Sequence, residues 1–84
     1  MLRIATKTKL EPEAAIRQAI DYFGPKGEGL TVKEQTAGYV GLEGGGGGVQ
    51  VTACAEGKGS SVEITTREWE DQVKKFVEKL AHAH

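Results

Sequence analysis

The first stretch of the chain alternates between apolar or small residues and basic ones. One face of this stretch carries Leu2, Ile4, Thr6 and Thr8, and the other carries Arg3, Lys7 and Lys9. Because successive side chains of a strand point to opposite faces, the pattern predicts a strand with one face on a core and one in water.

A helix is predicted next, beginning at Pro12. Proline suits the first helical position, and apolar residues then recur at the spacing of one helix face. These residues are Ile16, Ala19, Ile20 and Phe23. Gly24 and Pro25 follow at once and end the helix.

Four short strands are predicted in the middle of the chain, over residues 30–35, 39–43, 49–53 and 62–65. Turn residues separate them, including a run of five glycines that we interpret as a loop or a bulged hairpin end. Parallel neighbours would need connections of about a dozen residues or more, so these short turns favour an antiparallel meander.

The last predicted element is an amphipathic helix over residues 67–81. Thr65 to Glu68 fits a capping box, in which the threonine hydroxyl and the glutamate satisfy free backbone N–H groups of the first turn. The apolar stripe that follows consists of Trp69, Val73, Phe76, Val77 and Leu80. We interpret Trp69 as a core residue, with stacking on a ligand as the alternative.

The order strand, helix, four strands, helix defines an α+β fold: a curved antiparallel five-stranded sheet packed against two helices, in one domain over residues 1–84. This order resembles the TATA-box-binding-protein-like fold and the helix-grip folds, which include the Bet v 1-like and polyketide-cyclase-like proteins. The helix entered at Trp69 is similar to the helix that the sheet of those proteins grips. Glu43 with the glycines after it is similar to the glycine-rich inter-strand loop of Bet v 1-like proteins.

The resemblance implies an apolar cavity between sheet and helix, which the size of the chain argues against. An empty cavity of about 300 Å³ would cost about 7 kcal/mol, at roughly 24 cal/mol per Å³. The whole stability of a typical domain is about 5 to 15 kcal/mol. We therefore expect a shallow groove, or a site completed by a second subunit.

Charge and cysteine content limit which classes of partner, and which cellular compartment, we expect for the protein. Eleven basic residues stand against 12 acidic ones, giving a formal net charge of −1, so the chain lacks the basic field that nucleic acid or an anionic membrane attracts. Cys54 is the single cysteine and cannot form an intramolecular disulfide. Since no apolar span is present either, we expect a soluble cytoplasmic protein.

Glycine is the compositional anomaly, at 12 of 84 residues. Five are consecutive: Gly44, Gly45, Gly46, Gly47 and Gly48. Phosphate-binding loops place such glycines between a strand and a helix, whereas a strand-like segment follows here. A flexible hairpin loop that allows close approach of a ligand or partner is therefore favoured over phosphate binding.

The candidate ligand-binding residues are Glu34, Tyr39, Trp69, Val73 and Phe76. Glu34 would share a strand face with Leu30 and Val32, where a buried carboxylate needs a partner or a raised pKa. The simpler alternative is that Glu34 lies near the strand end and reaches water. No second carboxylate, histidine or serine can be placed beside it, so we predict no catalytic residue.

Metal and cofactor sites are not expected. His82 and His84 stand two residues apart at the end of the chain, a spacing that does not place both rings on one helix face. Cys54 has no nearby histidine to activate it, so an inert residue is favoured over a nucleophile.

Two functions remain open. The first is a small binding or protein-interaction domain that self-associates as a homodimer through its open sheet edges. The alternative is a miniature helix-grip-like binder of a small apolar ligand, or a cyclase-like enzyme, with Trp69, Val73, Phe76 and Val77 lining the site. Nucleic-acid binding through the sheet is a distant third.

Overall fold

A computed structural model describes residues 2–81 and confirms the predicted order of elements. The strands are β1 (Leu2–Thr8), β2 (Thr31–Thr36), β3 (Tyr39–Gly44), β4 (Gly47–Glu56) and β5 (Gly59–Arg67), and the helices are α1 (Pro12–Phe23) and α2 (Glu70–Ala81). The fold class is α+β, with the order β-α-β-β-β-β-α.

The five strands form one open antiparallel sheet in the order β1-β5-β4-β3-β2. β2 to β5 are the predicted meander, in which each strand pairs with the next along the chain. β1 joins at the far side of β5, so β1 and β2 are the two edges. The connection between them contains α1, which packs across the central strands on one face of the sheet.

Both helices pack on the same sheet face, and the core lies between the layers. α1 contributes Ala15, Ile16, Ala19 and Phe23, and α2 contributes Val73, Phe76 and Leu80. The inward residues of the sheet alternate as predicted, with Val49, Val51 and Ala53 on β4 and Val62 and Ile64 on β5. The apolar residues of the chain are thereby concentrated in one layer.

An aromatic cluster ties the end of α1 to α2. The rings of Tyr22, Phe23 and Phe76 lie with centroids 4.9 to 5.3 Å apart in tilted or edge-on pairs. Such geometry adds about 0.5–1.5 kcal/mol per pair beyond the burial of area. Val73 and Phe76 are therefore fixed parts of the core, each fully buried.

The start of α2 differs from the capping-box prediction, which is wrong. Thr65 and Thr66 belong to β5, and the Thr66 hydroxyl donates a 2.9 Å hydrogen bond to the Gly48 carbonyl instead of capping a helix. α2 begins at Glu70, and the Trp69 carbonyl accepts its first backbone hydrogen bond from Val73. The threonines match the sequence motif of a capping box, but both are paired with β4 as part of β5 and cannot cap the helix.

The turn from β5 into α2 places Glu68 in a left-handed conformation, with φ +73°. No other non-glycine residue between residues 2 and 81 has a positive φ. A residue with a Cβ in this region costs roughly 1–2 kcal/mol, so the junction is locally strained.

Within residues 2–81, neither helix has the length or the apolar content that crossing a bilayer requires.

Glu68→Gly is expected to raise the free energy of unfolding by about 0.5 kcal/mol, because relief of the left-handed strain exceeds the extra flexibility of glycine in the unfolded chain. Urea denaturation followed by circular dichroism measures this change. Glu68→Ala is the control, since it removes the carboxylate but keeps the Cβ. Equal stability of the two variants would show that the backbone conformation is not the cause.

Candidate functional site

The face of the sheet that the helices leave uncovered is polar, and the strand register arranges its side chains in rows. One row runs Glu34, Gly41, Gln50, Thr65 from β2 to β5, and the next runs Glu43, Gly48, Arg67 from β3 to β5. Directly paired residues of an antiparallel sheet point to the same side, so all of these groups face solvent together. We call this surface the open face.

Two glycines open a groove in the open face. Gly41 on β3 and Gly48 on β4 are diagonal neighbours, because Gly41 pairs with Gln50 and Glu43 pairs with Gly48. Neither carries a side chain, so the backbone forms the floor of a shallow groove of about 370 Å³. This volume lies at the lower end of the range of small-molecule sites, about 300–1,000 Å³.

Tyr39 covers part of this floor. A Cβ placed on Gly41 would lie 3.0 Å from the Tyr39 hydroxyl oxygen, so the ring lies along β3 over the glycine. Gly41 is buried for this reason although it belongs to the solvent-facing row. The tyrosine thus supplies an aromatic face and a hydroxyl at the groove.

The groove carries charges of both signs, with an excess of carboxylates on one side. Glu34 and Glu43 lie on the β2 and β3 side, whereas Arg67 lies on β5, across the side-chain-free position Gly48. Two strand spacings separate β3 from β5, or about 9.5 Å. Gln50 stands between them. Lys33, next to Glu34 on β2, also lines the groove, so the β2 and β3 side carries two carboxylates and one ammonium group, and the β5 side carries the guanidinium of Arg67.

Other charges of the open face are paired with each other. Arg3 donates a 2.7 Å hydrogen bond to Glu63, and Lys7 lies 2.9 Å from Glu56. In each pair the pKa of the basic side chain lies above its usual value. The hydrogen bond to the glutamate is the larger cause, and the negative charge of the glutamate is the second. Within residues 2–81, the groove residues Lys33, Glu34, Glu43 and Arg67 form no such ion pair.

Glu34 does not share a face with Leu30 and Val32, so that prediction is wrong. The register shifts between Val32 and Glu34, which leaves Lys33 as an extra residue in β2. A bulge of this kind rotates the following side chains to the other face. Val32 faces the core beside Leu42, and Glu34 lies exposed on the open face beside Gly41.

The loop within the glycine run is shorter than predicted. Gly44 ends β3 and Gly47 and Gly48 begin β4, so only Gly45 and Gly46 form the turn. Both have positive φ, +60° and +83°, as a type I′ hairpin turn requires. The run is a tight hairpin end with regular pairing on both sides.

Trp69 packs against this hairpin. Its indole Nε1 donates a 2.9 Å hydrogen bond to the Gly44 carbonyl, and a Cβ on Gly45 would lie 2.9 Å from the ring. A Cβ on Gly47 would overlap the carbonyl of Arg67, where the chain leaves β5. The glycines are therefore needed for close approach of the β5–α2 junction.

The predicted ligand-binding residues lie in three places. Glu34 and Tyr39 line the groove of the open face, whereas Val73 and Phe76 are fully buried in the core on the other side of the sheet. Trp69 lies half-buried at the hairpin. A ligand could touch Val73 or Phe76 only if the two layers separated.

No His, Cys, Asp and Glu cluster able to hold a metal ion is present in the part of the chain described, residues 2–81. Cys54 is exposed on the open face, opposite Ser61 of β5. His82 and His84 lie outside the described residues.

Comparisons of this chain with protein-family models, with curated proteins and with solved structures found no match.

The sequence analysis missed the residues on the β4 and β5 side of the groove, Gln50, Thr65 and Arg67. The alternation along each strand indicates that these residues face solvent. Gln50 alternates with the apolar residues of β4, and Thr65 and Arg67 alternate with the apolar residues of β5. What the pattern could not supply was the register that places Arg67 opposite Gly48 and Glu43.

Gly45→Ala is expected to destabilise the protein by about 1–3 kcal/mol more than Gly57→Ala. Both glycines have φ +60°, so the backbone strain of an alanine is matched, at about 1–2 kcal/mol. Only at Gly45 does the new Cβ meet Trp69, whereas Gly57 has open space. Urea denaturation gives the stabilities, and tryptophan fluorescence should change for Gly45→Ala alone. Equal losses would contradict the packing role of the hairpin.

Proposed function

We propose that the protein is a small binding domain whose ligand site is the groove of the open face, and that its ligand is a small zwitterion. The observation that carries the proposal is the excess of negative charge on the β2 and β3 side, where Glu34 and Glu43 outnumber Lys33, and its separation from Arg67 across a floor formed by Gly41 and Gly48. These charges have no ion-pair partner within residues 2–81.

The groups of the groove complement such a ligand. Two carboxylates accept hydrogen bonds from a guanidinium or ammonium group, and the Tyr39 ring adds a cation–π surface beside them. Arg67 can donate two parallel hydrogen bonds to a carboxylate at the other end. Gln50 and the backbone groups of Gly41 and Gly48 can form hydrogen bonds with polar atoms in the middle of the ligand.

The alternative, a small apolar ligand held between sheet and helices, has less support. Of the four residues that would line its site, Val73 and Phe76 are fully buried against the sheet, and Trp69 and Val77 are half-buried. An empty apolar cavity would also cost several kcal/mol in a domain of 84 residues. We propose that the architecture is related to the helix-grip and TATA-box-binding-protein-like folds.

L-Arginine is a suitable probe, and agmatine, which lacks the carboxylate, is its matched control. Titration followed by ¹H–¹⁵N NMR is expected to shift the amide signals of Gly41, Gly48 and Gln50 saturably. Arginine should bind about three- to tenfold more tightly than agmatine, because only arginine reaches Arg67 with a carboxylate.

Two variants test the roles of the charges. Glu43→Gln should weaken arginine binding about three- to tenfold, or about 0.7–1.4 kcal/mol. Glu78→Gln, an exposed carboxylate of α2, should leave it unchanged. Arg67→Gln should abolish the preference for arginine over agmatine. Equal binding of the two ligands by the unaltered protein, or shifts away from the open face, would refute the proposal.

A further inference from the structure

The two edges of the sheet differ in how well they are protected against pairing with another strand. β2 is interrupted by the bulge at Lys33, and every residue of it except Val32 is exposed. Bulges and charges are common means of blocking edge-to-edge contact. β1 pairs with β5 over seven consecutive residues without a register shift, so its free side is a regular edge.

The charges of β1 oppose some pairing registers but do not block the whole edge. Isolated basic side chains deter pairing because a second strand would bring like charges together. Arg3 and Lys7 lie 2.7 and 2.9 Å from Glu63 and Glu56, so each is partly compensated inside its own sheet, and repulsion matters only where two basic residues lie directly opposite each other. α2 also leaves the edge free, since it contacts β1 from the helix side, where Thr8 donates to the Leu80 carbonyl.

We infer that β1 is a self-association edge, on which β1 of a second copy of this chain pairs antiparallel about a two-fold axis at Ile4. In this register Ile4 meets Ile4 of the second copy, and each Arg3 lies opposite an Ala5. The half-buried Ile4 side chains cover each other on the helix side. The result is a continuous ten-stranded sheet from two five-stranded ones.

Charge selects this register over its neighbour. A two-fold axis at Ala5 would place Arg3 directly opposite Lys7, and like charges directly opposite destabilise a strand pair. An axis at Arg3 would place Arg3 directly opposite Arg3 of the second copy. The axis at Ile4 avoids both contacts and stacks the apolar side chain of the strand on its own copy.

Sedimentation equilibrium of the whole protein from about 5 to 500 µM tests the association, and concentration-dependent dimerisation is the expected result. Ile4→Lys should weaken dimerisation at least tenfold. Val32→Lys is the matched control, because Val32 is the half-buried, core-facing residue of the other edge strand. It should leave dimerisation unchanged. A protein that stays monomeric at 500 µM, or equal effects of the two variants, would overturn the inference.

Charge substitutions at Ala5 test the register and keep the inference falsifiable if Ile4→Lys does not fold. Ala5 is exposed, so both Ala5→Glu and Ala5→Lys should fold, which tryptophan fluorescence checks. Because Ala5 pairs with Glu63 of β5, Ala5→Glu should cost the monomer more stability than Ala5→Lys. With the axis at Ile4, glutamate faces Arg3 of the second copy and should tighten the dimer about threefold, whereas lysine should weaken it about threefold. Weakening by both variants would indicate the axis at Ala5 and overturn the proposed register.

Discussion

The close contact between the β5–α2 junction and the glycine hairpin is the constraint on which the arrangement of the layers depends. Only Glu68 and Trp69 lie between the end of β5 and the start of α2, so the chain must turn out of the sheet within two residues. It passes directly over Gly47, and Trp69 reaches the Gly44 carbonyl. Side chains on the hairpin would clash with the junction and move it away from the sheet. Val73 and Phe76 of α2 could then no longer pack in the core. The strain at Glu68 is the local cost of this short route.

Concentrating the apolar residues in one layer decides where recognition can take place. The core between sheet and helices contains fully buried residues from both layers, and an 84-residue chain cannot also keep an apolar cavity of ligand size empty at an acceptable cost. The open face carries no such cost, because its groove arises from absent side chains at Gly41 and Gly48. The proposed polar recognition therefore takes place on the solvent side of the sheet, outside the filled core.

Periodicity predicted the order of elements, the bounds of α1 and the inward faces of β1 and β4, because burial repeats at two or 3.6 residues whatever the details of pairing. The bulge at Lys33 was invisible, since one extra residue in a short strand leaves no mark on the local pattern. The capping box matched four residues, yet Thr65 and Thr66 are committed to β5 by pairing with β4. The sequence predicts Glu34 and Tyr39 as candidate binding residues, but only the strand register shows that they share a groove with Arg67.

The groove and the self-association edge are compatible because they use different strands. The groove is lined from β2 to β5, and no residue of β1 contributes to it. A two-fold axis normal to the sheet at Ile4 would place both grooves on the same face of the ten-stranded sheet, each open to solvent. Since no groove residue lies at the axis, dimerisation has no direct contact through which to alter the affinity of a single groove for a small ligand. A ligand carrying two recognition groups would gain affinity from the dimer only if its linker spans the distance between the grooves.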